Sequence, residues 1–140
     1  VLISSRKASD LEEATAELQA AGIDARWIAA DGQSEEECRR LVDETLQRLG
    51  DIDILVNNAG AAWGAPAEDH PVEAWDKVMN LNVRSYFILS QEVARRSMIP
   101  RKRGSIINTA SIAGLGGNPR GMKTIAYNTS KGAVINFTRA

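Results

Sequence analysis

A chain of 140 residues, with 44% hydrophobic and 25% charged side chains, has the size and balance of one globular domain. Its formal net charge of −1 gives no electrostatic case for nucleic acid or an anionic membrane surface. No run of about 18 apolar residues is present to span a bilayer, there is no signal-peptide pattern, and no metal site is expected.

Strand and helix signals alternate along the chain, the pattern of βα units feeding a parallel sheet. Val1 to Ser4 reads as a short buried strand. Ser9 with Glu12 forms a capping box opening a helix whose inner face is Leu11, Ala14, Leu18 and Ala21, and Gly22 stops it. Ala25 to Ala30 is a second strand, and Ser34 with Glu37 caps a second helix ending at Gly50. In that helix Cys38 shares a stripe with Leu41, Val42, Thr45, Leu46 and Leu49, so it is expected to be a small core residue and not a reactive thiol. A lone Cys also fits a reducing cytoplasm.

Ile52 to Val56 is a third strand, aliphatic enough to be covered on both faces, and it runs into Asn57-Asn58-Ala59-Gly60. Pro71 starts a long helical region reaching about Ile99, with Trp75, Val78, Met79, Phe87 and Ala94 expected inward. His70, just before it, reads as a surface or capping residue, and the basic run Arg101-Lys102-Arg103 as a solvated loop. Gly104 to Thr109 is a fourth strand, Gly114 to Gly121 a glycine-rich loop, and a last helix begins near Thr124. The chain opens within the strand-like run Val1-Leu2-Ile3 and closes within a helix-like pattern ending at Ala140, so a fragment is expected.

Tyr127 and Lys131 carry the strongest chemical signal. Residues four apart on a helix share a face, so phenol and ammonium can enter one cleft. A phenol titrates near 10 when unperturbed, and a cation beside it favours the phenolate, which suits acid–base work on an alcohol or carbonyl oxygen. Any amphipathic helix can also place a Tyr and a Lys this way, so the pair alone decides nothing. Ser111 ends the apolar strand before it, where catalytic side chains of parallel sheets collect, and its hydroxyl can orient a reacting oxygen. At the same end of the preceding strand, the small residues of Asn57-Asn58-Ala59-Gly60 permit close approach while the amides bridge neighbouring loops. Gly114-Leu115-Gly116-Gly117-Asn118-Pro119 imitates a dinucleotide fingerprint, but it has Pro at the sixth position and follows the wrong strand.

Taken in order, Asn57-Asn58-Ala59-Gly60, Asn80-Leu81-Asn82-Val83, Ser111 and Tyr127-Asn128-Thr129-Ser130-Lys131 resemble the short-chain dehydrogenases/reductases, in their classical subfamily. The pattern is most similar to gluconate 5-dehydrogenase-like and 3-oxoacyl carrier-protein reductase-like members. The resemblance implies an α/β fold with a doubly wound parallel sheet of Rossmann type, in three α/β/α layers and truncated at both ends. Residues 1–140 would form the central part of a single NAD(P)-binding domain, without the strand that belongs between those starting at Val1 and Ile52. It implies that Tyr127 is the general acid/base, that Ser111 polarises the substrate oxygen, and that Lys131 lowers the phenol pKa and holds the nicotinamide ribose. Asn82 would interrupt the long helix and bind a relaying water, Asn58, Ala59 and Gly60 would lie against the adenosine ribose, and Asp31 with Gly32 near the adenine. Gly114 to Ala126 would line the substrate cleft.

The strand end after Val1 to Ser4 carries Ser5-Arg6-Lys7 and no carboxylate until Asp10. An acidic residue there would accept bonds from a ribose 2′-hydroxyl, whereas Arg pairs with a 2′-phosphate, so Ser5 and Arg6 favour NADP(H) over NAD(H). The implied reaction is hydride transfer to or from a small-molecule alcohol/carbonyl substrate, in a homodimer or homotetramer built on segments 75–97 and 124–140. A non-catalytic binding homologue and a nucleotide-sugar epimerase are the alternatives; the first typically loses Tyr or Lys, the second usually lacks the Asn-Asn-Ala-Gly tetrad. By itself the 140-residue chain is expected to be inactive and marginally stable.

Overall fold

The computed structural model describes residues 1–140. Four strands alternate with helices: β1 (Leu2–Ser5), α1 (Ala8–Ala20), β2 (Arg26–Ala29), α2 (Glu35–Leu49) and β3 (Ile54–Asn57). A long helical run follows as α3 (Val72–Met79), α4 (Ser85–Val93) and α5 (Ile99–Arg101), joined by π turns at Asn80–Arg84 and Ala94–Met98. Then come β4 (Ser105–Asn108), a 3₁₀ turn at Ile112–Gly114 and α6 (Ile125–Arg139). The expected doubly wound parallel α/β architecture holds. β1 pairs with β2 in parallel, Leu2 opposite Arg26, and β3 with β4, Ile54 opposite Ser105. The two pairs are not hydrogen-bonded to each other.

The helix ends follow local chemistry, with one correction. Ser34 caps α2 as expected, its hydroxyl accepting from the Glu37 N–H at 3.2 Å. Ser9 does not cap α1: the helix begins at Ala8 with Lys7 at the cap, and the Ser9 hydroxyl donates to its neighbour Asp10. Gly22 ends α1 with φ at +81°, a conformation that suits glycine, and Ile23 N–H closes back onto Leu18 O. Ala21, expected inward, is exposed because the helix has already ended.

The core lies between the β3–β4 pair and the helices packed on it. Val42, Ile52, Val93 and Met98 form its centre, with Leu46, Leu55, Leu89 and Ile106 against them. Each such side chain contributes about 1.5–3 kcal/mol when fully buried. Strand alternation sends Leu55, Asn57, Ile106 and Asn108 to this side, and leaves Ile54, Val56 and Ile107 50% exposed or more on the other. The expectation that this strand is covered on both faces is therefore wrong for this chain: no element lies over the second face. β3 also starts two residues later than expected, because Ile52 is held in the core by Ser97, which bonds both its N–H and its carbonyl.

Within the long helix, Phe87 is the aromatic residue expected inward, with Trp75, Val78 and Met79. The structure puts Tyr86 there, 1% exposed, and leaves Phe87 49% exposed. Helical spacing accounts for this: Tyr86 follows Met79 by seven residues and Trp75 by eleven, on their face, whereas Phe87 follows Val78 by nine, on the opposite face. The basic run is likewise no simple loop. Arg101 bonds the carbonyls of Ser97 and Ile52 and pairs with Asp53 at 2.8 Å, pinning the end of α5 to the start of β3. Cys38 is the buried core residue expected, and burial raises its thiol pKa to about 11. The ring nitrogens of His70 are buried without partners while the ring meets Trp75 edge-on, so it caps nothing.

β2 is an outer strand, and its unpaired side is capped by α2. The carbonyls of Trp27 and Ala29 point away from β1; Arg48 Nη1 donates to the first at 3.0 Å and Arg40 Nη2 to the second at 2.7 Å. Glu37 and Glu44 hold both guanidinium groups in place. An edge that would otherwise template another strand is thus occupied by side chains.

Candidate active site

The C-terminal ends of the strands bring most of the expected residues together. Asn57 ends β3 and turns its buried amide to Ser90 Oγ and to Asn108 Oδ1 of β4, holding the two strand ends side by side. Asn58 continues this bridge, its Oδ1 accepting from Thr109 Oγ1 at 3.1 Å. Lys131, on α6, reaches over the same strand end. The residue is 3% exposed, and its ammonium donates to Thr109 O at 2.5 Å. Burial pushes the Lys131 pKa below its ordinary value, and Tyr127 opposes that shift. The ammonium lies 5.8 Å from the Tyr127 ring centre, so the pair expected from sequence spacing does share one cleft.

Asn82 is completely buried in the π turn and locks three segments together. Its Oδ1 accepts from Ala61 N–H at 2.8 Å; its Nδ2 donates to Ala61 O and to Ser130 Oγ, both at 2.9 Å. The Ser130 hydroxyl donates onward to Tyr127 O at 2.7 Å, so the loop after Gly60, the long helix and the Tyr127 helix turn form one network. The amide can make these bonds because the wide turn aims it sideways; here the interruption of the helix that the resemblance implies is a π turn.

Ser111 caps the turn at Ile112–Gly114, its oxygen accepting from Ala113 N–H at 3.2 Å. A turn serine and a functional serine do not exclude each other: accepting that bond leaves the hydroxyl proton free to donate. The turn is seated on α6, since Asn128 Nδ2 donates to Ala113 O at 2.9 Å. A Cβ on Gly114 would stand 2.5 Å from the Lys131 carbonyl carbon, so only glycine permits this contact. Gly60 is less tightly packed: a Cβ there would lie 3.9 Å from Lys131 Nζ and 3.6 Å from Asn82 Oδ1. Gly32 packs against Leu81 in the π turn, which brings the end of β2, with Asp31, to the same side of the molecule. Asp31 Oδ1 accepts from Gln33 N–H at 3.0 Å. Ser5 and Arg6 stand apart from this cluster, exposed where β1 ends.

Tyr86, Thr109 and Ala61 carry no motif signal that reading one sequence could use, and Ser130, inside the Tyr127–Lys131 segment, has no role assigned from sequence. Tyr86 lies beneath the Lys131 ammonium, 5.7 Å from ring centre to Nζ, and its hydroxyl donates to Ala59 O at 3.0 Å. Thr109, Ala61 and Ser130 act through backbone atoms or a small hydroxyl, and only the fold reveals their partners. Beyond them, Asn118, Thr124 and Asn128 form a side-chain network that fixes the glycine-rich loop to the start of α6. This loop and residues 65–68 enclose a cleft of about 490 Å³.

A family profile described as short chain dehydrogenase matches residues 1–140. The rhamnolipids biosynthesis 3-oxoacyl-[acyl-carrier-protein] reductase of Pseudomonas aeruginosa is 39% identical over 142 aligned positions, covering 99% of this chain and 54% of that protein. The gluconate 5-dehydrogenase of Gluconobacter oxydans is 35% identical, covering 99% and 53%. Among solved structures, NAD⁺-bound xylitol dehydrogenase superposes with a TM-score of 0.90 at 38% identity, over 98% of this chain and 52% of that one. The RhlG/NADP active-site complex of Pseudomonas aeruginosa does so with a TM-score of 0.87 at 39% identity, over 99% and 54%. The chain thus spans about half the length of the relatives it matches. It belongs to the short-chain dehydrogenase/reductase family, a family of oxidoreductases.

Proposed function

We propose that the protein catalyses reversible hydride transfer between NADP(H) and an alcohol/carbonyl substrate, with residues 1–140 forming the central part of one nicotinamide-binding domain. The observation that carries this reading is Lys131, an almost completely buried residue whose ammonium lies beside the Tyr127 ring and bonds a single backbone carbonyl. A buried cation needs partners, and a ligand with hydroxyl groups supplies them. Gly60 fits such a ligand, because the space its missing side chain leaves opens toward Lys131 and Asn82. Lys131 and the Gly60 wall would hold a nicotinamide dinucleotide there, which would supply the hydride chemistry. Tyr127 exchanges the proton with the substrate oxygen, and Ser111 donates to that oxygen and orients it. Lys131 stabilises negative charge as it develops on the phenol oxygen and holds ribose hydroxyls. Asn82 fixes Ala61 and the Tyr127 turn, so that a proton path can reach Lys131.

Asn58, Ala59 and Gly60 form the wall for the adenosine ribose, and Asp31 with Gly32 lies near the adenine. NADP(H) is preferred because Lys7 faces Asp10 across 3.8 Å while Ser5 and Arg6 stay exposed to take a 2′-phosphate. The RhlG structure holds NADP and the xylitol dehydrogenase structure NAD⁺, so relatives of both kinds exist. The substrate is a sugar acid, a 3-oxoacyl thioester or a similar small carbonyl compound, seated against the loop at 114–126. The protein acts in the cytoplasm, and it acts as a homodimer or homotetramer, for which the exposed Phe87 on the long helix is the supporting observation.

The test uses the natural protein with NADPH and NADH against a panel of keto sugar acids and 3-oxoacyl thioesters, followed by nicotinamide absorbance. Tyr127→Phe is expected to abolish turnover while keeping cofactor affinity, and Arg6→Asp to move the preference toward NADH. Equal turnover by Tyr127→Phe would refute the assignment of the proton donor, and an unchanged preference in Arg6→Asp would refute the choice of NADP(H).

A further inference from the structure

Tyr86 is the most enclosed large side chain of the molecule, 1% exposed, and it stands one helical turn after Asn82. It touches both walls of the opening at Gly60. Its ring face lies under the Lys131 ammonium at 5.7 Å, and its hydroxyl donates to Ala59 O at 3.0 Å. An aromatic face attracts a cation without neutralising it and without taking its N–H donors. A carboxylate in the same place would do both.

We propose that Tyr86 is a positioning residue of the nicotinamide site: its ring keeps the Lys131 ammonium charged with its donors free, and its hydroxyl sets the spacing of the Ala59–Gly60 wall. This rests on the function proposed above. The titratable groups facing Lys131 are Tyr127 on its own helix and Tyr86 on α4; β4 offers only the Thr109 carbonyl, and the 59–61 loop a glycine. Burial works against the ammonium and Tyr127 opposes that cost; the Thr109 carbonyl and the Tyr86 ring face are the other groups set against it.

Two variants of the natural protein separate the roles of ring and hydroxyl. Tyr86→Phe keeps the ring and loses the bond to Ala59; Tyr86→Met loses both. The Lys131 titration, read by NMR on ¹³C-labelled lysine, is expected about half a pH unit lower in Tyr86→Met and unchanged in Tyr86→Phe. Affinity for NADPH, read by fluorescence, is expected to weaken about threefold to tenfold in Tyr86→Phe, the loss of one neutral hydrogen bond. A Lys131 midpoint in Tyr86→Met equal to wild type would overturn the role of the ring. Unchanged NADPH affinity in Tyr86→Phe would overturn the role of the hydroxyl, and that variant decides its half even if Tyr86→Met does not fold. A wild-type protein without hydride transfer would remove the proposed function yet leave the lysine titration readable. An active wild type with unshifted variants would remove this inference alone.

Discussion

Replacing Asn82 by Ala removes three hydrogen bonds from the interior: Ala61 N–H to Oδ1, and Nδ2 to Ala61 O and to Ser130 Oγ. A neutral hydrogen bond is worth about 1 kcal/mol net, more where the abandoned partner stays buried. The Ser130 hydroxyl keeps its donation to Tyr127 O, and Ala61 is only half-buried, so water can reach part of what is abandoned. The expected loss is therefore about 2–3 kcal/mol, or roughly 4–12 °C in Tm for a domain of 150–250 residues. Asn82→Asp is expected to be as damaging although it is isosteric. Its second oxygen would face Ala61 O and Ser130 Oγ, both already acting as acceptors toward this position. Urea melts of the natural protein followed by tryptophan fluorescence measure both variants; Trp27, Trp63 and Trp75 are the reporters. A loss below about 0.5 kcal/mol in Asn82→Ala, the range of an unremarkable surface change, would refute the three-way lock. So would an Asn82→Asp protein as stable as the wild type.

Three further outcomes follow from contacts elsewhere. Gly114→Ala places a Cβ 2.5 Å from the Lys131 backbone, and since backbone cannot rotate away, a loss of about 3 kcal/mol or failure to fold is expected in the same melts; near-neutrality would mean that the turn does not rest on α6. Arg40→Gln with Arg48→Gln uncovers the carbonyls of Trp27 and Ala29, and light scattering should show concentration-dependent association beyond the wild-type oligomer; an unchanged scattering profile would rule out edge protection. Arg39 and Arg84 hold the Glu35 carboxyl below its ordinary 4.5, Arg40 does the same for Glu37, and Arg101 holds Asp53 below 3.8. Groups depressed in the folded state contribute their stability above the ordinary values and lose it as pH falls through the lowered ones. Tm should hold above about pH 4.5 and decline below it, less steeply in Glu35→Gln, and a flat profile across that window would contradict these pairings.

Much of the architecture was legible from one sequence because its signals are local. Alternating apolar runs, the Ser34 cap and the Gly22 stop depend on a few neighbouring residues, and the resulting elements fall within two residues of their expected places. Departures arose where apolar composition stood in for position. Phe87 is the more apolar ring, but helical spacing from Trp75 and Met79 buries Tyr86, and no pattern of apolar residues announces the π turn before it. The expected cover on both faces of β3 came from its aliphatic composition, which describes what a strand can tolerate and not which elements are there to cover it.

The site divides in the same way. The sequence by itself determined the residue types: a Tyr and a Lys one helical turn apart, a Ser at a strand end, small residues and amides after the preceding strand. Those placements follow from the chemistry and from chain-local spacing. Only the tertiary structure decided which atoms meet. That Lys131 is buried on Thr109 O, that Asn82 binds a loop and a second helix at once, and that Tyr86 lies beneath the ammonium are contacts between residues far apart in the chain. Such contacts depend on how β3, β4, α4 and α6 pack, and packing is a property of the whole fold.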